Sequence, residues 1–138
     1  MTAALIAANH LACEPLLRAK LGAELGTTVG GFAEYMALLD GAPLAGVGVY
    51  ALYDGDELSG GTGSPHQTIA RQNWQVVIVA ASMAEVGETM ARAISALSGK
   101  RLDDSLKPLA RVADANPMMA GNGLLFAFLT FSQPIDMR

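Results

Sequence analysis

Two histidines and a single cysteine are the side chains of this sequence best suited to bind a transition metal. His10 and Cys13 are three residues apart, so on a helix both would lie on one side and could share an ion. A structural zinc site needs four nitrogen or sulfur ligands, and only His66 remains to join this pair. We therefore expect no metal here, with His10 on a helix surface and Cys13 as a buried small thiol.

Acidic side chains are concentrated in the polar, glycine-rich segment Asp54–His66. Asp54, Asp56 and Glu57 resemble the ligands that open a calcium-binding loop, but the full twelve-residue spacing of such a loop is absent. A calcium site is therefore not expected. The use of this segment as the site of a small enzyme or binding domain stays open as an alternative.

The small residues that follow resemble a functional loop only in part. The stretch Gly60–Ser64 is rich in glycine, as phosphate-binding loops are, but it has no Gly-Lys-Ser/Thr and no predicted helix follows it. Ser64 and His66 are too close in sequence to suit a nucleophile and its general base. The sequence therefore predicts no catalytic residue, no cofactor and no metal ligand.

Composition limits the classes of protein to which the chain can belong. Its 138 residues favour one domain, residues 1–138, with a sizeable core. The chain is 51% hydrophobic and only 16% charged, against about 25% charged residues in an average soluble domain. So few charges would cover the surface of a monomer poorly, which hints at an oligomer. The net charge of −4 argues against nucleic-acid binding, which needs clustered lysine and arginine.

Three further patterns concern the compartment. No apolar run approaches the ~18 residues of a membrane span, so no membrane partner is expected. The N-terminus lacks the basic region of a signal peptide. A single cysteine excludes an intramolecular disulfide and fits a reducing compartment.

A strand followed by a helix is the best-defined unit of the chain. The strand is predicted as Thr68–Ala81 and the helix as Met83–Ser98. Ser82 and Glu85 form a capping box, in which each side chain can accept a hydrogen bond from the backbone N–H of the other residue. Gly99 suits a left-handed C-terminal cap. The apolar face of the helix consists of Val86, Met90, Ile94 and Leu97.

The predicted strand changes character along its length. In its first half, polar residues at positions 71, 73 and 75 share one face. From Val76 to Ala81 both faces are apolar, as in strands that are covered on both sides. That cover could come from helices of the same chain or from a second chain, and the strand alone does not decide. We expect Trp74 in the core rather than stacked on Arg71 at an interface.

The other elements are less sharply marked. A helix is predicted from Ala3 to Gly26; Pro15 either kinks it or lies in the first turn of the second of two short helices. Residues 27–29 could form a short edge strand, and residues 33–39 have helical character. Pro108 suggests that one side of the third strand lacks a partner. The remaining predictions are strands at Ala45–Tyr53, Leu106–Ala113 and Leu124–Gln133, a hairpin tip at Asp54–His66, a loop at Asp114–Asn122 and a poorly ordered tail at Pro134–Arg138.

These elements predict an α+β domain, with a mainly antiparallel sheet of four to five strands and two main helices packed on one face. The other face would need a cover, which an adjacent subunit would supply. The hairpin tip is longer than the usual two to five residues, so we expect an arm that contacts a neighbour. Met118 and Met119 either anchor a partner or fold onto their own domain. The tentative interface residues are Asp54, Asp56, Glu57, Leu58, His66, Arg71, Met118 and Met119.

The stretch Arg71–Val79, Arg-Gln-Asn-Trp-Gln-Val-Val-Ile-Val, resembles the tail terminator proteins of long-tailed bacteriophages, in particular those of Mu-like phages and prophages. The resemblance continues at the end of the next helix, Ala-Ile-Ser-Ala-Leu-Ser-Gly, and in the closing strand Gly-Leu-Leu-Phe-Ala-Phe-Leu-Thr-Phe. The N-terminal helix and the strand before a long hairpin also fit, so the resemblance extends over the whole length. The hairpin tip and the segment Asn116–Met119 depart from the family pattern, which puts the partner contacts in doubt.

The resemblance implies a fold in which six copies close into a ring. Such a ring caps the tail tube, stops its polymerisation and provides the interface for head–tail joining. The implied partners are further copies of the chain, the major tail tube protein and a neck or head-completion protein, while genomic double-stranded DNA passes through without specific binding. The implied location is the virion, at the neck of the tail, after assembly in the host cytoplasm. No catalysis and no cofactor are implied.

Two other interpretations stay open. The first is another neck or tail-completion protein of the virion with a similar fold, which its position in the assembled particle would distinguish. The second is a small soluble enzyme or binding domain that uses Asp54–His66 as its site. In that case combined substitution of Asp54, Asp56 and His66 would abolish an activity rather than perturb assembly.

Overall fold

The structure, a computed structural model, describes residues 5–6, 8–59, 68–119 and 122–135, with the backbone alone at 59, 68 and 113–116. Two helices come first along it, followed by two strands, one helix and two further strands. In chain order they are α1 (Cys13–Leu25), α2 (Phe32–Leu39), β1 (Gly48–Ser59), β2 (Thr68–Ala80), α3 (Met83–Leu97), β3 (Ala110–Met119) and β4 (Leu125–Pro134).

The four strands form one antiparallel sheet in the order β1-β2-β4-β3. Strands β2 and β4 are therefore central, and β1 and β3 are edges. A single parallel bridge between Gly30 and Tyr50 adds a one-residue fifth contact at the β1 edge, next to the segment 27–29 where a short strand was possible. The predicted α+β fold with a mainly antiparallel sheet is confirmed.

The β2–α3 unit follows its local sequence signals closely. Each element begins at the predicted residue and ends one residue early. Ser82 Oγ accepts from the Glu85 amide at 3.3 Å and donates to the Glu85 carboxylate at 3.0 Å, so the serine half of the capping box is confirmed. Gly99 has a φ of +72°, the left-handed conformation expected after the helix.

Helices α1 and α3 pack against each other on one face of the sheet, as predicted. They bury the side chains that alternate positions of β2 direct to this face. Trp74 is among them and is fully buried, which confirms its place in the core. The main members of this core are Leu17, Leu21, Trp74, Val76, Ile78, Val86, Leu97, Leu129 and Phe131.

The opposite face of β2 is covered by helix α2 of the same chain. Val77 and Val79 are fully buried and pack in a second cluster with Leu38 of α2, Tyr50 of β1 and Phe126 of β4. The expectation that an adjacent subunit must cover this part of β2 is therefore wrong. The short helix was predicted, but its side of the sheet could not be read from local periodicity.

The N-terminal helical region is divided in two. Residues 5, 6 and 8 are helical, the chain turns at residues 10–12, and α1 begins at Cys13. Pro15 is the third residue of α1, within the first turn, where backbone N–H groups have no intrahelical acceptor. Of the two predicted arrangements, the structure has the one with Pro15 in the first turn of a second helix.

The third strand lies further along the chain than predicted. Strand β3 begins at Ala110, so Pro108 precedes it, and it continues through most of the segment predicted as a loop, Asp114–Asn122. Pro117 is tolerated because β3 is an edge strand and its pairing with β4 shifts register between residues 115 and 118. The loop prediction was misled by Asn116-Pro117, a pair typical of turns.

The first and last strands also extend past their predicted ends. Strand β1 continues to Ser59, so residues 56–59 of the predicted hairpin tip are paired with β2, after a register shift at residues 54–55. Strand β4 includes Pro134, and buried Ile135 donates its amide to the Ala70 carbonyl at 2.9 Å. The prediction of a poorly ordered tail is therefore wrong for residues 134–135, and residues 136–138 lie outside the described residues.

The buried thiol of Cys13 makes the stability of this core depend on pH. Cys13 is fully buried, and burial raises the pKa of its thiol from 9.0 to about 11. The thiolate is thus more favoured in the unfolded chain than in the folded one. The stabilising contribution of the buried thiol is fully present below the pKa that Cys13 has in the unfolded chain. It is lost as the pH rises toward the pKa that Cys13 has in the folded protein. Near pH 10.5 this loss should reach about 2 kcal/mol in the free energy of unfolding.

Urea unfolding of the wild type and of Cys13→Ala, at about pH 8 and pH 10.5, measures this contribution. The alanine variant has no thiol to titrate, and tyrosine ionisation affects both proteins alike. Between the two pH values we expect the wild type to lose about 2 kcal/mol of unfolding free energy relative to Cys13→Ala. An unchanged difference would contradict the assignment.

Candidate assembly surface

The β1–β2 hairpin extends past the rest of the sheet. Pairing between β2 and β4 ends at Arg71 and Pro134. Pairing between β1 and β2 continues to Ser59 and Thr68, so the outermost described pairs have no neighbour in β4. We refer to residues 54–59 and 68–71 as the arm. Four of the predicted interface residues in β1, and one in β2, lie on it.

Asp56 fixes the base of the arm. A register shift after Tyr53, with Gly55 at a φ of +90°, places Asp56 opposite Gln72 of β2. Asp56 Oδ2 lies 2.8 Å from His10 Nε2, and the Gln72 amide donates to the His10 carbonyl at 2.8 Å. These two contacts hold the segment before α1 against the arm. We refer to His10, Asp56 and Gln72 as the clasp.

Aromatic rings complete the base of the arm. The Tyr53 ring makes edge contacts with His10 and Trp74, with centroids 5.9 Å and 5.4 Å apart. Burial, together with the nearby Asp56 carboxylate, raises the pKa of Tyr53 to about 12, so its phenol stays protonated at neutral pH. Arg71 and Trp74 are three residues apart on a strand and therefore face opposite sides. The alternative in which they stack is wrong.

Four other arm residues face solvent, whereas Ile69 is partly buried against the main core. Asp54, Glu57 and Arg71 are exposed, and Leu58 is 55% exposed although it is a large apolar residue. His66 lies outside the described residues, as does the stretch Gly60–Ser64 with its possible phosphate and nucleophile motifs. The acidic residues of the arm are spread along a strand rather than gathered around one point.

A groove lined by apolar residues lies on the sheet face that carries α2. Its floor is formed by Phe126 and Phe128, and its sides by residues of α2 and β3. Met118 and Met119 line one side and are 57% and 72% exposed. Its volume of about 220 Å³ is several times the ~30 Å³ that a water molecule occupies, so it can hold a large side chain. The full lining is Tyr35, Leu39, Met118, Met119, Phe126 and Phe128.

The groove is continuous with an exposed apolar stripe on α2. Phe32, Met36 and Leu39 recur at helical spacing, and Leu39 also lines the groove. At about 200 Å² per large apolar side chain, the exposed fractions of these residues and of the two methionines add up to roughly 550 Å². This is at the upper end of the patches that monomeric proteins expose. We refer to the groove with this stripe as the apolar surface.

His10 and Cys13, the pair with a possible metal-binding spacing, lie in different surroundings. Cys13 is buried in the core, while His10 is paired with Asp56. The two side chains therefore contact different parts of the molecule. Within the described ranges, no group of three or more His, Cys, Asp or Glu side chains is placed to hold a metal ion. None of the helices described is long and apolar enough to cross a membrane.

Comparison with known proteins gives a fold relationship. One solved structure, the virion of a native gene transfer agent particle, contains a chain with a similar fold. The TM-score is 0.53, the sequence identity is 17%, and the match covers 83% of this chain and 83% of that chain. No protein-family model matches the sequence. No curated protein matches it either.

Sequence reasoning found part of this surface and missed its organisation. The methionine pair and the arm residues were identified from their types and positions. The clasp was missed because His10 and Asp56 are 46 residues apart and no local pattern links them. The groove floor was missed because Phe126 and Phe128 read simply as one apolar face of a strand. The stripe at Phe32, Met36 and Leu39 was a usable signal, since all three lie on one side of a short helix.

The clasp predicts different roles for two neighbouring acidic residues. Asp56→Asn removes the charged acceptor of His10, and we expect a loss of about 1 kcal/mol in the free energy of unfolding. Hydrogen exchange of backbone amides in residues 10–12 and 53–58 should accelerate. Asp54→Asn, the matched control on the same strand, should change stability by less than about 0.5 kcal/mol. Equal effects of the two substitutions would show that the clasp does not hold the arm.

Proposed function

We propose that this protein is a non-enzymatic structural component of a phage-type virion, and that within the virion it is a ring-forming tail terminator. The observation that carries the proposal is the fold shared with a chain of the gene transfer agent virion over 83% of both chains. The sequence resemblance of Arg71–Val79 and the closing strand to tail terminators supports the same class. In this role residues 1–138 act as one domain.

The exposed features of the molecule suit assembly better than chemistry. The apolar surface offers Met118, Met119 and the α2 stripe to a partner, and among the described side chains that line the groove Tyr35 alone carries a polar group. The arm offers Leu58 together with charged Asp54, Glu57 and Arg71. Asp56 contributes indirectly, because its contact with His10 holds the arm. His66 is also a proposed interface residue.

In the proposed role six copies close into a ring that caps the tail tube and ends its polymerisation. One side of the ring contacts the major tail tube protein, and the other contacts a neck or head-completion protein that joins the tail to the head. Genomic double-stranded DNA passes through the ring without specific binding. The net charge of −4 per chain suits this passage, because it gives the DNA backbone no attractive surface. The protein then resides at the neck of the tail.

A ring is consistent with the distribution of the two exposed features. The arm and the apolar surface are different in shape and chemistry, so an interface between them would be heterologous. Heterologous interfaces produce closed rings when the rotation between neighbours closes, and open filaments when it does not. The low charged fraction of the chain, 16%, also suits a subunit that buries much of its surface against copies of itself.

Native mass spectrometry and negative-stain microscopy of the full chain test the proposal directly. We expect a six-membered ring, alone or at one end of tail tubes assembled from the major tail tube protein. Tubes that grow on without the protein should stop growing when it is added. A protein that stays monomeric and never joins tubes would refute the tail terminator. Labelled protein found elsewhere in the neck of assembled particles would instead favour another tail-completion protein.

A further inference from the structure

The arm and the apolar surface lie at opposite ends of the sheet. Leu58 pairs with Ile69 near the start of β2. Val79, near the end of β2, pairs with Phe126, which in turn pairs with Met118. Ten residues of β2 separate the two positions, which corresponds to about 33 Å at 3.3 Å per residue. Leu58 therefore cannot reach the groove of its own chain.

Leu58 is the exposed apolar side chain best placed to enter a groove on another molecule. Outside the apolar surface, the described residues include four other large apolar side chains that are exposed, Leu11, Tyr53, Met83 and Val112. These lie on the body of the domain, at the clasp, at the start of α3 or on β3. Leu58 lies on the pair of strands that extends past β4, so it is exposed at one end of the sheet.

We propose that the arm docks into the apolar surface of an adjacent copy, with Leu58 in the groove between α2 and β3. This inference rests on the proposed function and deepens it by naming the subunit interface. Every chain carries one arm and one groove, so a single contact leaves one of each free. Association therefore continues until a ring closes. Two grooves facing each other would instead give a closed dimer with both arms unused.

The area involved fits such an interface. The roughly 550 Å² of exposed apolar area is smaller than the ~800 Å² per partner of a standard interface, so it can form the apolar core inside a polar rim. Asp54 and Glu57 on the arm would lie in that rim, where charged side chains remain solvated. The clasp makes docking less costly, since an arm already held at its base loses less conformational entropy on binding.

The geometry also limits the size of the ring. In a closed ring, the points where the arm of one copy meets the groove of the next form a polygon. Each side of that polygon is at most the distance between the arm and the groove of one copy. About 33 Å along β2 and about 14 Å across three strand spacings combine to about 36 Å between Leu58 and the groove. For six copies the side of the polygon equals its radius, so the contacts lie at most about 36 Å from the axis.

Cross-linking between thiols tests the docking. Leu58→Cys and Met119→Cys are made in separate full-length proteins, and Met83→Cys is the matched control because Met83 is 58% exposed but lies on neither surface. All three positions are exposed, so folding should be preserved, and buried Cys13 should not react. Each pair of proteins is mixed and treated with a short thiol–thiol cross-linker.

We expect the Leu58→Cys and Met119→Cys pair to cross-link faster than the Met83→Cys and Met119→Cys pair. The excess should be on the order of tenfold or more, because docking raises the effective concentration of the two thiols. A chain carrying both Leu58→Cys and Met119→Cys should give a ladder that ends at a closed ring. Fast cross-linking of Met119→Cys to itself would show groove facing groove and overturn the proposal, as would equal rates for the two mixtures.

Failure of this inference can be separated from failure of the proposed function. Leu58→Asp should reduce the ring fraction in native mass spectra on the order of tenfold, while Met83→Asp should leave it unchanged. If rings form and cap tubes but neither the cross-link nor the effect of Leu58→Asp appears, only the docking mode is wrong. If the wild type forms no ring and binds no tube, the tail terminator is wrong and the docking between copies is overturned with it.

Discussion

The constraint on which this structure depends is a central strand that must be buried on both faces. From Val76 to Ala80 every residue of β2 is fully buried. A strand of this kind requires two covering layers. Burial of each large apolar side chain contributes about 1.5 to 3 kcal/mol, so leaving either face open would cost much of the stability of a small domain.

Helices α1 and α3 supply one layer. The second layer is α2, which has only eight residues and is about 12 Å long. The ten residues of β4 span about 33 Å, so α2 covers one end of the face and leaves the groove beside it.

Polar side chains hold these layers in position. Arg18 of α1 donates through Nε to the Val29 carbonyl at 2.9 Å and through Nη2 to Glu34 of α2 at 3.2 Å, which joins a helix on one face to the helix on the other. The Gly31 amide donates to the same carboxylate, and this hydrogen bond is the main cause of the lowered pKa of Glu34. At the other end of the sheet, Gln72 and Gln133 are buried register partners whose amides donate to the carbonyls of His10 and Lys107 at 2.8 Å. The irregular segments around His10 and Lys107 are therefore held by directed hydrogen bonds, because a buried glutamine amide without an acceptor would be costly.

The sequence predicted the features that depend on neighbours within a few residues. Apolar runs of strand length identified β2 and β4, and the cap at Ser82 and the glycine at 99 fixed both ends of α3 to within one residue. Prediction from the sequence failed where a feature depends on a residue that is distant along the chain. The side of the sheet chosen by α2, the contact between His10 and Asp56, and the tolerance of Pro117 in an edge strand all depend on tertiary pairing. For the candidate assembly surface, too, local sequence predicted one part and tertiary pairing determined the other. Exposed residues such as Met118 and Leu58 could be nominated by type, but their separation to opposite ends of the sheet follows only from strand order and register.

In the proposed docking, that separation decides what kind of assembly the molecule makes. A chain with one self-complementary patch stops at a dimer, whereas a chain with a donor at one end and an acceptor at the other must either close or grow indefinitely. Individual contacts of this size need not be strong, because the contact that closes a ring is intramolecular and gains from the effective concentration of its two ends. In the proposed assembly a partial ring is therefore disfavoured relative to both the monomer and the complete ring. The short helix α2 links this proposal to the fold, since it is long enough to bury Val77 and Val79 but too short to cover the groove as well.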